Sequence, residues 1–115
     1  MTPTDLTTKW NKLLQQFKQD FGIDKADLNG ILFLIGVQEL GKGPLMFSRG
    51  QKEDLLHIAT CRVLSIDGYF RLEGHDHDGW PKWQPTSKQL DLNERDKEQL
   101  IKQLIIKYFS DIYNL

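Results

Sequence analysis

The sequence predicts a mainly α-helical fold, either a small irregular four-helix bundle or an orthogonal helical array. Four segments have apolar residues at helical spacing or in a long apolar run, and helix-capping residues stand near their ends. A loop of about twenty residues without helical periodicity separates the third segment from the fourth. The 115 residues and the hydrophobic fraction of 39% suit one helical domain over 1–115.

The first helix is predicted from about Thr4 to Phe21. Thr2 or Thr4 can cap its start, and Gly22 can adopt the left-handed conformation that ends a helix. The apolar side chains recur three and four positions apart, which places them on one face: Leu6, Trp10, Leu13, Leu14, Phe17 and Phe21. This helix is therefore expected to pack against a core along one side.

A second helix is predicted through the segment LNGILFLIGVQELG, with Asp24 as its N-cap. Its apolar side chains occur on every side, as in a central helix. Gly30 and Gly36 each disfavour a helix by about 1 kcal/mol. They either permit close approach of another backbone or mark a partly buried strand, and the lack of alternation favours the helix.

Two further helices are predicted in the second half of the chain. Ser48 and Gln51 have the spacing of a capping box that opens a third helix, ending near Asp67 and Gly68. A fourth helix begins near Asn93. Its apolar face is long enough to form either core or a homodimer seam, and comprises Leu100, Ile101, Leu104, Ile105, Tyr108, Phe109 and Ile112.

The segment between helices three and four is the least regular part of the sequence. Tyr69, Phe70 and Leu72 indicate a short extended piece, either a strand or a hairpin arm. The following run EGHDHDGWPKWQPTSKQLDLN is expected to lack secondary structure. Because long ordered loops in small domains are often functional, we predict that the site lies here.

The first functional hypothesis is a non-enzymatic interaction or regulatory protein that uses the 73–83 loop for recognition. Exposed tryptophans and tyrosines are typical anchors at protein interfaces, and charged side chains orient the partner. The aromatic candidates are Tyr69, Trp80 and Trp83, and the charged candidates are Asp76, Asp78 and Lys82. The tryptophans can instead fold back over the core.

The alternative hypothesis is a divalent-metal-binding protein or metal-dependent enzyme. In an extended segment, His75 and His77 would point the same way. Helix three could add His57 and either Glu53 or Cys61, with Asp54 adjoining, to complete a site for zinc or another transition metal. All three histidines can equally be exposed polar residues, and Cys61 can be a small apolar residue.

Composition narrows the remaining function classes. Fifteen basic and sixteen acidic residues give a net charge of -1, which does not indicate nucleic-acid binding. A single cysteine and an N-terminus without a secretory pattern favour the cytoplasm, and no apolar run is long enough to span a membrane. The local motifs of common enzyme classes are missing, which favours a non-enzyme.

The segments FSRGQKEDLLHIATCRVLSIDGYF and HDHDGWPKW resemble a set of small bacterial hypothetical proteins without an assigned function. The resemblance covers about the middle third of the chain. It implies no activity, cofactor or catalytic residue, and it is compatible with a cytoplasmic, non-secreted protein.

Overall fold

A computed structural model describes residues 2–23, 26–42 and 46–110 and confirms the mainly helical prediction. These residues form α1 (Pro3–Phe21), α2 (Leu28–Leu40), α3 (Arg49–Ser65), β1 (Phe70–His75), β2 (Pro81–Pro85) and α4 (Glu94–Ser110). The described chain divides into two compact units, 1–28 with 92–115, and 29–91. The bundle or orthogonal array stays a prediction. The Asp24 cap and Ile112 lie outside the described residues.

The ends of α1 and α4 follow the predicted capping rules. The Thr2 hydroxyl accepts the backbone N–H of Asp5 at 3.1 Å, and the Asp5 carboxylate accepts that of Thr2 at 3.4 Å. Gly22 ends α1 with a φ of 68°. The Asn93 side chain accepts the backbone N–H of Asp96 at 2.8 Å and so opens α4. Local sequence therefore fixes where these helices begin and where α1 ends.

The apolar faces of α1 and α4 are largely buried within one chain, but Phe21, at the end of the predicted face of α1, is 57% exposed. The rings of Phe17 and Phe109 meet edge to face, with centroids 5.2 Å apart. The other buried side chains of these helices are Leu6, Leu13, Ile101, Leu104, Ile105 and Ile106. This burial does not favour the homodimer seam on helix four, which stays a prediction.

In the second unit, α2 and α3 approach so closely that only glycine fits at the contact. A Cβ atom on Gly36 would lie 2.4 Å from the backbone oxygen of Leu55. Of the two interpretations offered for Gly36, close backbone approach is confirmed and a buried strand is wrong. An ion pair between Arg62 and Glu39, at 3.1 Å, also joins these helices.

The other side of α3 carries an antiparallel hairpin, which confirms the hairpin alternative and corrects the expectation of a structureless loop. Pro81 and Pro85 lie at the ends of β2, where a missing N–H is tolerated, and they obscured the strand pattern. A bulge between Leu72 and Gly74 leaves Glu73 outside the pairing register. No helix among the described residues is long and apolar enough to cross a membrane.

Helical spacing predicts one apolar face for the third helix, with His57 opposite it, and the structure differs from this face at three positions. The predicted face comprises Leu55, Leu56, Ile58, Ala59, Val63 and Ile66. Cys61 and Leu64 are buried although the single predicted apolar face omitted them, and Ile66 is exposed at 37%. Because α2 and the hairpin contact α3 from different sides, more than one face of this helix is covered. His57 is exposed, as predicted from its position opposite the apolar face.

We predict that Gly36→Ala lowers the free energy of unfolding by about 2 kcal/mol, because the new methyl group must separate two backbones. Alanine gains roughly 1 kcal/mol of helix propensity, which offsets part of the loss. Gly50→Ala on α3 is the matched control, since its Cβ would meet nothing within 4 Å. Urea denaturation measures both variants; equal stability of Gly36→Ala and the unmodified protein would contradict the close contact.

Candidate functional site

A cavity of about 410 Å³ opens between α3 and the turn of the hairpin. This volume is within the range of small-ligand sites. From α3 it is lined by Gln51, Asp54, His57 and Ile58, and from the hairpin by Asp76, Asp78, Trp80 and Pro81. The sequence-predicted loop therefore meets the exposed side of helix three here.

The α3 side of the cavity is a stripe of residues one helical turn apart. Gln51, Asp54 and His57 follow at intervals of three, which places them along one side of the helix. The stripe starts inside the capping box, where Gln51 accepts the backbone N–H of Ser48 at 2.9 Å. The helix start thus fixes the mouth of the cavity.

The hairpin side is held by the carboxylate of Asp76. Its Oδ1 accepts the backbone N–H groups of both Asp78 and Trp80 at 2.9 Å. The backbone N–H of Asp76 donates to the Trp80 carbonyl at 2.9 Å, and Gly79, with a φ of 86°, donates to the Asp76 carbonyl at 3.0 Å. Asp76 is therefore first a turn-forming residue.

The same hydrogen bonds explain the acidity of Asp76. The backbone N–H of Trp80 stabilises the ionised carboxylate and is the main reason that the pKa of Asp76 lies below its usual range. The N–H of Asp78 acts in the same direction. Asp76 therefore stays negatively charged throughout the neutral and mildly acidic range.

A second recess of about 250 Å³ adjoins the first and shares Gln51, Asp78 and Trp80 with it. Its other lining residues are Leu40, Lys42, Met46 and Phe47. The Lys42 ammonium donates a hydrogen bond to the backbone carbonyl of Asp78. We call the two recesses together the Trp80 groove. It has an acidic recess beside α3 and a largely apolar recess beside Phe47.

Three of the six predicted recognition residues, Asp76, Asp78 and Trp80, line the Trp80 groove. The other three do not. The Tyr69 ring lies under the Lys88 ammonium at 4.3 Å. Lys82 is exposed. Because successive side chains along a strand point to opposite faces, Lys82 points away from the face on which Pro81 lines the cavity.

The two loop tryptophans occupy different environments, although both are half-buried. Trp80 lies in the turn and borders both recesses. Trp83 pairs across the hairpin with Leu72, and its indole nitrogen is buried without a hydrogen-bond partner among the described residues. Of the two, Trp80 is the one placed to contact a ligand in the groove.

The predicted metal ligands are distributed over separate parts of this unit. His57 lines the cavity, whereas His75 pairs with Pro81 and His77 is 91% exposed beside Asp78. The extended geometry assumed for the histidines ends at His75, where β1 ends. Within 2–23, 26–42 and 46–110, no three His, Cys, Asp or Glu side chains are arranged to hold a metal ion. The metal hypothesis stays a prediction.

Glu53 and Cys61, the possible further ligands, differ in their surroundings. Glu53 is exposed and lies outside the lining of the cavity, whereas Cys61 is buried with its Sγ 3.6 Å from Nε2 of His57. Burial raises the pKa of Cys61 to about 11. The thiol is thus neutral at physiological pH, which disfavours nucleophilic attack.

Sequence reasoning missed several groove residues. The sequence predicts only a capping role for Gln51 and only a core position for Ile58. Both lie on the same side of α3 as Asp54, because they are three and four positions away from it. Lys42 and Phe47 carry no comparable signal, because their positions depend on how the chain enters α3. Only the fold brings them to Trp80.

Comparison with known proteins gives no match to any protein-family model, curated protein or solved structure. The function must therefore be inferred from the geometry of the groove.

We predict that Cys61 in the folded protein reacts with iodoacetamide at pH 8 about a hundred-fold more slowly than in the urea-unfolded chain. A pKa near 11 rather than 9.0 leaves far less thiolate. The pKa of the Cys61 thiol is higher in the folded chain than in the unfolded chain. The stability contributed by the buried neutral thiol is therefore complete below pH 9 and is lost as the pH rises toward 11. The free energy of unfolding should therefore fall between pH 9 and 11 more steeply in the unmodified protein than in Cys61→Ala. Equal alkylation rates of Cys61 in the folded and unfolded chains would contradict the burial.

We also predict that Asp76→Ala loosens the hairpin turn, whereas Asp76→Asn preserves it, since asparagine keeps an acceptor oxygen. Hydrogen exchange at the Asp78 and Trp80 amides should accelerate in the alanine variant only. In the unmodified protein, the ionised Asp76 carboxylate stabilises the fold at pH values above the usual aspartate pKa. This stabilisation is lost as the pH falls through the lower pKa that Asp76 has in the folded chain. A carboxyl ¹³C titration of Asp76 with an ordinary midpoint would refute this account.

Proposed function

We propose that the protein is a small non-enzymatic interaction module that binds a partner protein through the Trp80 groove. The observation that carries the proposal is the position of Trp80, half-buried between two open recesses on a turn held by hydrogen bonds. Half-exposed tryptophans in such pockets are typical anchors of protein interfaces. The single cysteine favours a cytoplasmic location for this module.

The rigidity of the turn supports a role in binding. The backbone N–H of Trp80 is fixed by Asp76, and Gly79 supplies the left-handed conformation that the turn requires. A side chain presented by an ordered turn loses little conformational freedom on binding, so more of its contact energy contributes to affinity. The groove therefore suits recognition without prior folding of a loop.

The types of side chain around the groove support a non-catalytic role. Among the described lining residues there is no serine, threonine or cysteine to act as a nucleophile. The single thiol of the chain, that of Cys61, lies near His57, but it is buried and neutral. The groove thus offers shape, charge and an aromatic face, with no hydroxyl or thiol nucleophile among its described lining residues.

The test compares Trp80→Ala with Lys82→Ala, which changes an exposed residue on the opposite face of β2. Tagged variants recover partners from a lysate of the source cells, and mass spectrometry quantifies the recovery. We expect Trp80→Ala to reduce capture of the main partner at least about tenfold, the usual effect of losing an aromatic anchor. Lys82→Ala should leave it unchanged.

Circular dichroism and thermal melting confirm that both variants are folded before capture is compared. Equal recovery by a folded Trp80→Ala variant and the unmodified protein would rule out the groove as the interface. A loss with Lys82→Ala comparable to that with Trp80→Ala would place recognition on the other face of the hairpin.

A further inference from the structure

The acidic recess of the Trp80 groove carries an excess of negative charge. Asp54, Asp76 and Asp78 line it, whereas Lys42 is the only lysine or arginine among the described residues that line either recess. The whole chain has a net charge of only -1, so this local excess is not a consequence of an acidic protein.

We propose that the acidic recess binds the guanidinium group of an arginine side chain carried by a peptide segment of the partner. The inference rests on the proposed function and names the chemistry of the occupant. Arginine combines a planar cation that stacks on an indole with donors that pair with carboxylates. Trp80 and the three aspartates provide both kinds of contact within one recess.

The aspartates have oxygens available for such a ligand. The Asp54 side chain makes no hydrogen bond or ion pair with any described residue, and it lines the recess together with His57. Asp76 uses Oδ1 for the turn, and its Oδ2 has no hydrogen-bond partner within the described chain. Asp78 contacts only the exposed ring of His77 through its carboxylate, at 3.4 Å.

Charge also excludes other occupants of this recess. A carboxylate or phosphate group would meet three aspartates, and such like-charge contacts cost several kcal/mol at an interface. A lone metal ion finds no suitable set of three ligands in the described ranges. A cationic side chain is the occupant that these charges favour.

The adjoining recess indicates what stands next to the arginine. Leu40, Met46 and Phe47 form an apolar surface on the other side of Trp80, and Met46 is fully exposed. The Lys42 ammonium contacts the turn here and would repel a second cation. The segment that fits both recesses therefore has an arginine followed or preceded by an apolar side chain.

The test titrates the ¹⁵N-labelled 115-residue chain with N-acetyl-arginine amide and with N-acetyl-citrulline amide, a neutral analogue of nearly the same shape. Chemical shifts of the Trp80 indole and the Asp78 and Trp80 amides report binding, with the indole signal assigned through Trp80→Phe. We expect the arginine compound to move these signals with an apparent Kd at least tenfold below that of the citrulline compound.

Two neighbouring acids on α3 provide a matched pair of variants. Asp54→Asn removes a carboxylate from the recess, and Glu53→Gln removes one from an exposed position outside it. Asp54→Asn should weaken arginine binding at least tenfold, whereas Glu53→Gln should change it less than twofold. Since Asp54 has no described partner, its replacement is not expected to affect folding.

Equal binding of the arginine and citrulline compounds would overturn the inference, and so would equal losses with Glu53→Gln and Asp54→Asn. If partner capture depends on Trp80 while the arginine and citrulline compounds bind equally, arginine is not the occupant of the acidic recess and the proposed function stands. If arginine binds selectively but partner capture does not depend on Trp80, the recess has a cation site and the proposed function fails.

Discussion

The candidate site depends on one short-range constraint, the carboxylate of Asp76 accepting two backbone N–H groups of its own turn. These bonds close the hairpin and fix the backbone at Trp80, so the indole stands beside α3 instead of following a flexible loop. Gly79 is part of the same constraint, because its φ of 86° is rarely adopted by other residues. Asp76 thus holds the turn through Oδ1 and also lines the acidic recess that the turn forms with α3.

The second determinant is the division of the surface of α3. One side approaches α2 so closely that Gly36 faces the Leu55 carbonyl, and another side carries the hairpin. The exposed stripe of Gln51, Asp54 and His57 lies at the edge of the contact with the turn, which explains why a cavity forms there. The acidic recess is therefore the gap left where α3 meets the turn of a bulged hairpin.

Local rules predicted the helices well and the site only in part. Capping boxes, terminal glycines and apolar spacing act within a few residues, so the ends at Thr2, Gly22 and Ser48 could be read directly. The position of Trp80 across the cavity from α3 depends on strand pairing between Phe70 and Pro85 and on a bulge that shifts the register. No sequence period encodes that distance, which is why Trp80 and Trp83 could not be distinguished beforehand.

The charges of the groove are not explained by stability. Asp76 stabilises the turn, but Asp54 has no described partner, and the exposed pair of Asp78 with His77 belongs to a class that contributes about 0–1 kcal/mol. The three carboxylates that line the recess give it a negative potential instead. This potential is useful when anionic segments must be rejected, because specificity arises from penalties against wrong ligands as well as from contacts with the right one. The same potential would attract a cation to the indole of Trp80, and this attraction would add to the affinity of the groove for a basic segment.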